Sequence, residues 1–443
     1  MKTIDYIPSS KISRASKIVE TGIKVGGNYL KYYGDQLTGS DKAQENLDKR
    51  NAKDVYDGLK TLKGSALKVA QMLSMEQNLI PQAYVEQFSL AQFSVPPLSP
   101  PLVRRVFKKY FGKTPQQQFD HFDLNSKFAA SIGQVHKASK GKQVYAVKIQ
   151  YPGVAESISS DLAMVKPFAL KMLNLNAKES DHYFKEVEQK LLEETNYLKE
   201  LQQALEVKKA CESIPGLKFP NYYPELSSQR VLTMEWMQGK HLSELEDLKL
   251  SQKERNQIGQ SLWDFYMLQL HHMKKVQADP HPGNFLVNEN KDLIALDFGC
   301  MKELPQDFYT PYFELIDPEN INTKAIFEKK LEELEILTDK DSPEERAVFS
   351  ELFAALISLF SKPFQQKHFD FSDRKRMTSV ERLVKGFPLK PPVSFLFSDC
   401  SPSLEIVVLV AMTPSIFVSL TISIMSNNCS SVKSGAIFNK IGF

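Results

Sequence analysis

A lysine and a glutamate, each set in an otherwise apolar face, restrict the folds open to this chain more than any other feature. The run Val144 to Ile149 alternates as a strand, which puts Val144, Ala146 and Lys148 on one face. Further on, Phe184, Val187, Leu191, Glu194, Leu198 and Leu201 recur at steps of three and four, the core-facing stripe of one long helix running from Phe184 to Leu205. A buried charge is costly unless an opposite charge meets it. The two anomalies cancel if the helix lays Glu194 against Lys148. The alternative is that both sit solvated at the ends of their elements. Pairing them demands a sheet with a helix packed across it and a salt bridge inside.

Three more polar residues extend the pattern. Asp279 and Asn284 lie five apart, and Asp297, in Asp297-Phe298-Gly299, lies eighteen after Asp279. This is the spacing of a kinase catalytic loop followed by its metal-binding Asp. A strand Lys, a helix Glu that orients it, a loop Asp and two oxygen ligands are the charges that hold a nucleotide triphosphate and its magnesium. Asp279 is the candidate base or positioning group for an acceptor, and Asn284 and Asp297 are the candidate metal ligands. The hinge-like Met234-Glu235-Trp236-Met237 supplies Glu235 and Met237 as nucleotide contacts. Where a Gly-rich loop would precede Lys148, the chain instead has Phe128-Ala129-Ala130-Ser131-Ile132-Gly133-Gln134-Val135-His136. Alanine is stiffer than glycine, so a phosphate cover built from Ala129, Ala130 and Ser131 is more rigid. Gly112-Lys113-Thr114 is not a Walker A loop, because the first glycine of that motif falls on Phe107.

The remaining sequence sets outer bounds. With 56 basic and 53 acidic residues among 443, nothing pulls the chain globally toward nucleic acid. Cys211, Cys300, Cys400 and Cys429 are too scattered for a zinc site or a disulfide framework. No signal-peptide core interrupts the basic N-terminus, and cytoplasmic chemistry fits. Residues 1–95 read as a helical extension, in which Val55, Leu59, Leu62, Ala66, Val69 and Leu73 share a face. Pro96, Pro97, Pro100 and Pro101 close it. Residues 96–238 and 239–372 read as two lobes, and 373–443 as an irregular apolar tail. Within that tail, Ile406 to Met425 carries no charge and is long enough to span a bilayer, but contains Pro414 and several hydroxyl residues. Weak, peripheral membrane association through the tail is the expectation. His136 and His281 read as scaffold hydrogen-bonders, since neither has a second ligand at metal spacing.

Taken together, these motifs resemble those of the UbiB or aarF-domain family of atypical kinases. The resemblance covers residues from about 55 to 300. It rests on Lys68-Val69-Ala70-Gln71-Met72-Leu73-Ser74, on Ser131 to His136, on Val147-Lys148-Ile149-Gln150-Tyr151-Pro152-Gly153-Val154, on Glu194-Thr195-Asn196-Tyr197 and on the two metal-site motifs. It implies an α+β, two-lobed, protein-kinase-like fold with a helical N-terminal extension over the site where a peptide would bind. It also implies binding of ATP or ADP with magnesium, ATPase or small-molecule kinase activity, and service to isoprenoid quinone synthesis at a membrane, with an isoprenoid lipid or quinone precursor as partner. The resemblance brings Lys68 and Gln71 near the nucleotide, where composition alone makes them an exposed helix face. Four positions depart from the family pattern: Ala70 replaces a glycine, the Ala-rich loop is one alanine short or has Phe128 in its place, Asn196 replaces an aspartate, and Gln277 replaces a histidine. The rival readings are a true protein kinase and a non-catalytic, nucleotide-gated lipid-handling scaffold.

Overall fold

The computed structural model describes residues 11–37, 42–62, 82–89, 97–130, 132–173, 181–242, 244, 248–278, 282–334, 336–339 and 341–365. Lys68, Gln71, Ser131, Asp279, His281 and the 373–443 tail with Ile406 to Met425 lie outside the described residues. By its contacts the chain divides into two units, one of residues 1–201 and 221–236, the other of 202–220 and 237–443. Residues 202–220, which fall inside the expected 96–238 lobe, cluster with the second unit.

The first unit opens with α1 (Lys11–Leu37) and α2 (Ala43–Leu62), packed along each other, with α3 (Gln82–Ser89) against α2. Leu47, Ala52, Val55, Tyr56 and Leu59 of α2 are buried, as the apolar periodicity of that stretch requires. Buried Asn28 donates from Nδ2 to Asn51 Oδ1 at 3.1 Å and to Asp54 Oδ2 at 2.7 Å, which fixes the register of the two helices. Pro100 and Pro101 start α4 (Pro100–Phe111), where a missing N–H costs nothing. Gly112 ends α4 at φ 68°, a left-handed C-terminal cap. Thr114 then opens α5 (Pro115–Gln118) with a capping box, its N–H reaching Gln117 Oε1 at 2.8 Å. The glycine and threonine of the rejected phosphate loop are thus helix punctuation.

A five-stranded sheet follows, antiparallel in every pairing. It comprises β1 (His121–Phe122), β2 (Phe128–Ala130), β3 (Gly133–Lys140), β4 (Gln143–Gln150) and, beyond a short β5 (Leu217–Lys218) of the second unit, β6 (Val231–Glu235). Both flanks of β4 are paired and its last six residues are buried, so its two faces are covered. Next come α6 (Val154–Leu173), α7 (Asp181–Glu194), which packs on α6, and α8 (Tyr197–Cys211). Phe107, Phe119, Phe122 and Tyr145 form an aromatic core under the sheet, with centroids between 5.4 and 6.3 Å.

A chain of buried polar groups crosses that core. Leu98 N–H donates to Gln134 Oε1 at 2.7 Å, Gln134 Nε2 donates to His136 Nε2 at 2.7 Å, and His136 Nδ1–H donates to the Asp123 carbonyl at 2.8 Å. The Asp123 carbonyl can only accept, so the His136 proton sits on Nδ1, and the bare Nε2 accepts from the Gln134 amide nitrogen, whose oxygen is turned to the Leu98 N–H. The ring lies fully buried against Phe122. The scaffold role expected for His136 is therefore met.

In the second unit, β5 pairs in parallel with β10 (Leu293–Ala295), which pairs with β9 (Phe285–Val287), which pairs with β7 (Lys240–His241). A separate ribbon joins β8 (Lys275–Gln277) to β11 (Met301–Glu303). Helix α9 (Gln252–Leu268) carries most of the buried face, with Leu262, Trp263, Phe265 and Tyr266 in the core. The α-helix stops at Leu268. A wide π turn occupies Gln269–Met273, and Lys274 at φ 51° reverses the chain into β8. Then α10 (Gln306–Glu314), α11 (Pro318–Asn322), α12 (Lys324–Glu333) and α13 (Pro343–Gln365) complete the unit. Among the described residues, no helix is long and apolar enough to cross a membrane.

The buried imidazole gives the fold a pH dependence. Burial pushes His136 down from 6.5 to about 4. The unfolded chain takes up a proton near 6.5 and the folded chain only near 4. This stabilisation is thus complete above pH 6.5 and is lost as pH falls to about 4. The full effect is about 3 kcal/mol. The difference in unfolding free energy between wild type and His136→Gln, measured in urea at pH steps from 7 to 4, should shrink across that window. A constant difference would show that the ring does not titrate there.

Candidate functional site

Lys148, in the middle of β4, has its Cα partners Val135 on β3 and Leu232 on β6, so backbone pairing on both sides fixes its height in the sheet. Its Nζ donates to Glu200 Oε1 at 2.8 Å and Oε2 at 3.1 Å. The two side chains are only 9 % and 3 % exposed. The ring of Tyr197 lies 5.1 Å from the same ammonium, which adds a cation–π contact. The buried lysine–glutamate pair exists, but its acid is Glu200 rather than Glu194.

The reason is a break in the helix. Residues 184–205 do not form one helix: α7 ends at Glu194 and α8 begins at Tyr197. Two residues out of helical count turn the following stripe by roughly 200°. Tyr197, Glu200, Leu201, Ala204 and Val207 are buried, while Leu198, placed in the core by an unbroken stripe, is 47 % exposed. Glu194 is half-buried at the end of α7. Asn196 caps α8, its Oδ1 accepting the Lys199 N–H at 3.4 Å and its carbonyl the Glu200 N–H at 3.1 Å. An Asn three residues before Lys199 and four before Glu200 was the available signal for a new helix start.

The break is pinned to the sheet. Gln150 Nε2 donates to the Thr195 carbonyl at 3.0 Å, the Arg230 guanidinium donates to the same oxygen, and Tyr197 N–H donates to the Gln229 carbonyl at 3.1 Å. Glu200 is held at a fixed distance from β4 by these bonds. Gly133 lies beside the pair: a Cβ there would sit 2.4 Å from the Ile149 carbonyl and 2.9 Å from Tyr197 Oη. Only glycine lets β3, β4 and α8 approach this closely.

Ala129 and Ala130 lie on β2, paired with Gln134 and Gly133 of β3, so these two alanines belong to one strand of a β2–β3 hairpin. At the other margin of the sheet, Glu235 closes β6. Its Oε2 accepts from the Asn221 N–H at 3.1 Å and Nδ2 at 2.9 Å, so the carboxylate fastens the hinge-like segment. Met237, half-buried, begins the second stretch of the second unit.

In that second unit, Phe298 is fully buried beside Phe219 and Phe265, at 6.1 and 6.5 Å. Burial of this ring anchors the adjacent Asp297, whose Oδ1 accepts the Gly299 N–H at 2.9 Å. Asn284 sits in a 3-10 turn (Pro282–Asn284), and its carbonyl accepts the Leu296 N–H at 3.0 Å. One backbone bond thus ties the Asn284 turn to the segment leading into Asp297. Carboxylate and amide oxygens suit magnesium, which takes one or two protein ligands and completes its shell with phosphate and water. Among the described residues, no group of three or more His, Cys, Asp or Glu side chains gathers to hold a metal alone.

A model of the ABC1 atypical kinase-like domain matches residues 90–325, more than half of the chain. The chain belongs to this family. The resemblance to UbiB and aarF-domain kinases seen in the motifs is therefore one of common membership, and the α+β fold is kinase-like. The chain is similar to the probable serine/threonine-protein kinase abkA of Dictyostelium discoideum, 27 % identical over 424 residues, covering 88 % of this chain and 74 % of that protein. It is also similar to the mitochondrial atypical kinase COQ8B of Danio rerio, 26 % identical over 391 residues, covering 85 % and 62 % respectively. Among solved structures it resembles Rv3197 of Mycobacterium tuberculosis, determined with erythromycin, with a TM-score of 0.60 at 22 % identity over 91 % of this chain and 98 % of that one. That likeness shows the fold.

Two departures from the ABC1-family pattern now have structural explanations. Asn196 caps a helix, a task at which Asn and Asp are equivalent. Gln277 is buried and does what a single histidine ring would have to share. Its Nε2 donates to the Asp297 carbonyl, its Oε1 accepts from Tyr266 Oη at 3.0 Å, and its N–H donates to Gln269 Oε1 at 2.9 Å. It links the segment before Asp279 to the backbone of Asp297, the candidate metal ligand. This residue was noted only as a departure; its position at the end of a strand, two before Asp279, marks it as a linker.

Breaking the ion pair leaves one charge buried alone. Glu200→Ala and Lys148→Ala should each lower unfolding free energy by about 3–5 kcal/mol, and the double variant by much less than their sum. Glu194→Ala should show weak coupling to Lys148 in the same cycle; strong coupling there and none at Glu200 would restore the original assignment. For Gln277→Leu, the Asp297 carbonyl and Tyr266 hydroxyl lose their partner, and a cost of about 1–3 kcal/mol is expected. Gln277→His should recover part of it.

Proposed function

We propose that the chain binds ATP or ADP with magnesium and slowly hydrolyses ATP or transfers its terminal phosphoryl group, in support of isoprenoid quinone or related lipid metabolism. The observation that carries this reading is the bidentate Lys148–Glu200 pair, buried in a sheet. A pair this well buried is poor value for stability alone, but it holds an ammonium in one orientation, as α- and β-phosphate binding requires. Family membership and the mitochondrial atypical kinase among the relatives support the quinone pathway.

The roles follow from the chemistry. Lys148 holds phosphate oxygens and Glu200 orients it. Ala129, Ala130 and Ser131 cover the phosphates with a hairpin stiffer than a Gly-rich one, which bears on the choice between ATP and ADP. Backbone groups of Glu235 and Met237 meet the base. Asp279 positions the acceptor hydroxyl or water and takes its proton as the bond from the γ-phosphorus to the bridging oxygen breaks. Asn284 and Asp297 hold magnesium, which when bound neutralises charge on the phosphates. Lys68 and Gln71 of the extension lie near the nucleotide and hinder a peptide acceptor. The apolar tail supplies peripheral contact with a membrane surface.

Nucleotide binding followed by calorimetry should weaken roughly tenfold or more with chelator and in Asp297→Asn, and ATP turnover should fall to background in that variant. Equal affinity in all conditions would remove magnesium from the site. Binding without turnover above the Asp297→Asn level would favour the nucleotide-gated scaffold.

A further inference from the structure

Strand register reveals a second feature of the Lys148 face. Directly paired residues share a face, and so do residues two apart. Val135, Lys148 and Leu232 are aligned, as are Lys137, Ala146 and Met234, and Phe128 is paired with Val135. Trp236, two beyond Met234, continues the same face and is held by its N–H to the Val144 carbonyl at 3.0 Å. On that face the rings of Phe128 and Trp236 stack at 5.9 Å and 25°, and Lys137 Nζ lies 5.1 Å from the Trp236 centroid. Phe128 is nevertheless 51 % exposed. A large aromatic side chain at the start of the Ala-rich hairpin therefore reaches the hinge-like segment at the solvent edge of the face that carries Lys148.

We propose that Phe128 and Trp236, capped by Lys137, form a gate that closes the Ala-rich hairpin onto the hinge and limits the rate at which a bound nucleotide leaves. The inference rests on the nucleotide-binding reading above and adds to it a pair of positioning residues. The physical case is simple. The β2–β3 hairpin is joined to the rest of the sheet through β3 alone, since β2 pairs only with β3 among the described strands. The stack is a second attachment, from β2 to the hinge. Opening the hairpin must unstack the rings and free the ammonium, both modest penalties that together slow release by about five- to tenfold.

The chain contains two tryptophans, and the other, Trp263, is buried against Phe364, so acrylamide quenching of intrinsic fluorescence reports mainly on Trp236. The test uses the full chain and its Phe128→Ala, Phe128→Tyr and Trp236→Phe variants, with mant-ADP and mant-ATP in magnesium buffer and stopped-flow displacement. Trp236→Phe fixes the share of the signal that belongs to Trp236. Phe128→Ala should increase quenching without nucleotide and raise the dissociation rate about five- to tenfold, while Phe128→Tyr should restore both. Increased quenching with a dissociation rate unchanged within about twofold overturns the gate while leaving the stack. Unchanged quenching overturns the stack itself. If wild type binds neither nucleotide, the functional reading fails and takes the gate with it, and the absence of any wild-type signal sets that result apart from the other two.

Discussion

The bidentate contact between Lys148 and Glu200 organises the first unit. A lysine at the centre of a sheet paired on both sides cannot turn to water, so the chain must bring a carboxylate to it. Doing so requires a helix start at Asn196, which requires the backbone to leave α7 after Glu194. It requires that break to be held by Gln150, Arg230 and Gln229, and it requires a glycine at 133 so that the helix can come close. Each is a local oddity in sequence. Together they are consequences of burying one cation.

The second unit is built around an aromatic ring rather than a charge. Phe298 in the core fixes the backbone on either side of it, and Gln277 reads that backbone through the Asp297 carbonyl. The Asn284 turn is attached by the Leu296 N–H. Each candidate metal ligand therefore has its own carbonyl fixed by a hydrogen bond, the kind of support that oxygen ligation by few protein groups needs. Replacement of a histidine by Gln277 fits this logic: an amide donates from one atom and accepts at the other without titrating.

Much of this was legible in the sequence because it depends on short-range rules. Strand β4 follows from alternation, and the punctuation at Pro100 and Pro101 from the fixed geometry of proline, although these prolines also start α4 rather than only closing the extension. The identity of the glutamate did not follow, because the stripe from Phe184 to Leu201 fits one unbroken helix so well that a two-residue interruption is invisible to periodicity. Asn196 was visible as a cap, but a cap in mid-stripe competes with six well-placed positions. The π turn at Gln269–Met273 was hidden for a related reason: its composition is helical, and only the left-handed Lys274 reverses the chain. The stack of Phe128 on Trp236 joins residues far apart in sequence, and no local pattern carries that information.

The segment Ser131 to His136 helped to identify the family, yet its described residues serve mainly to build the sheet. Gly133 permits close approach, Gln134 and His136 carry hydrogen bonds from Leu98 to Asp123, and Ile132 is buried. A motif quoted for a family can thus be fixed by the scaffold it builds. The same distinction applies to Asn196 and Gln277, where departures from the family pattern leave the supporting bonds in place. What the proposed chemistry demands is narrower: an ammonium held in one direction by Glu200, and oxygen groups at Asn284 and Asp297. The sequence changes around these groups are those that the hydrogen-bonding frame can absorb.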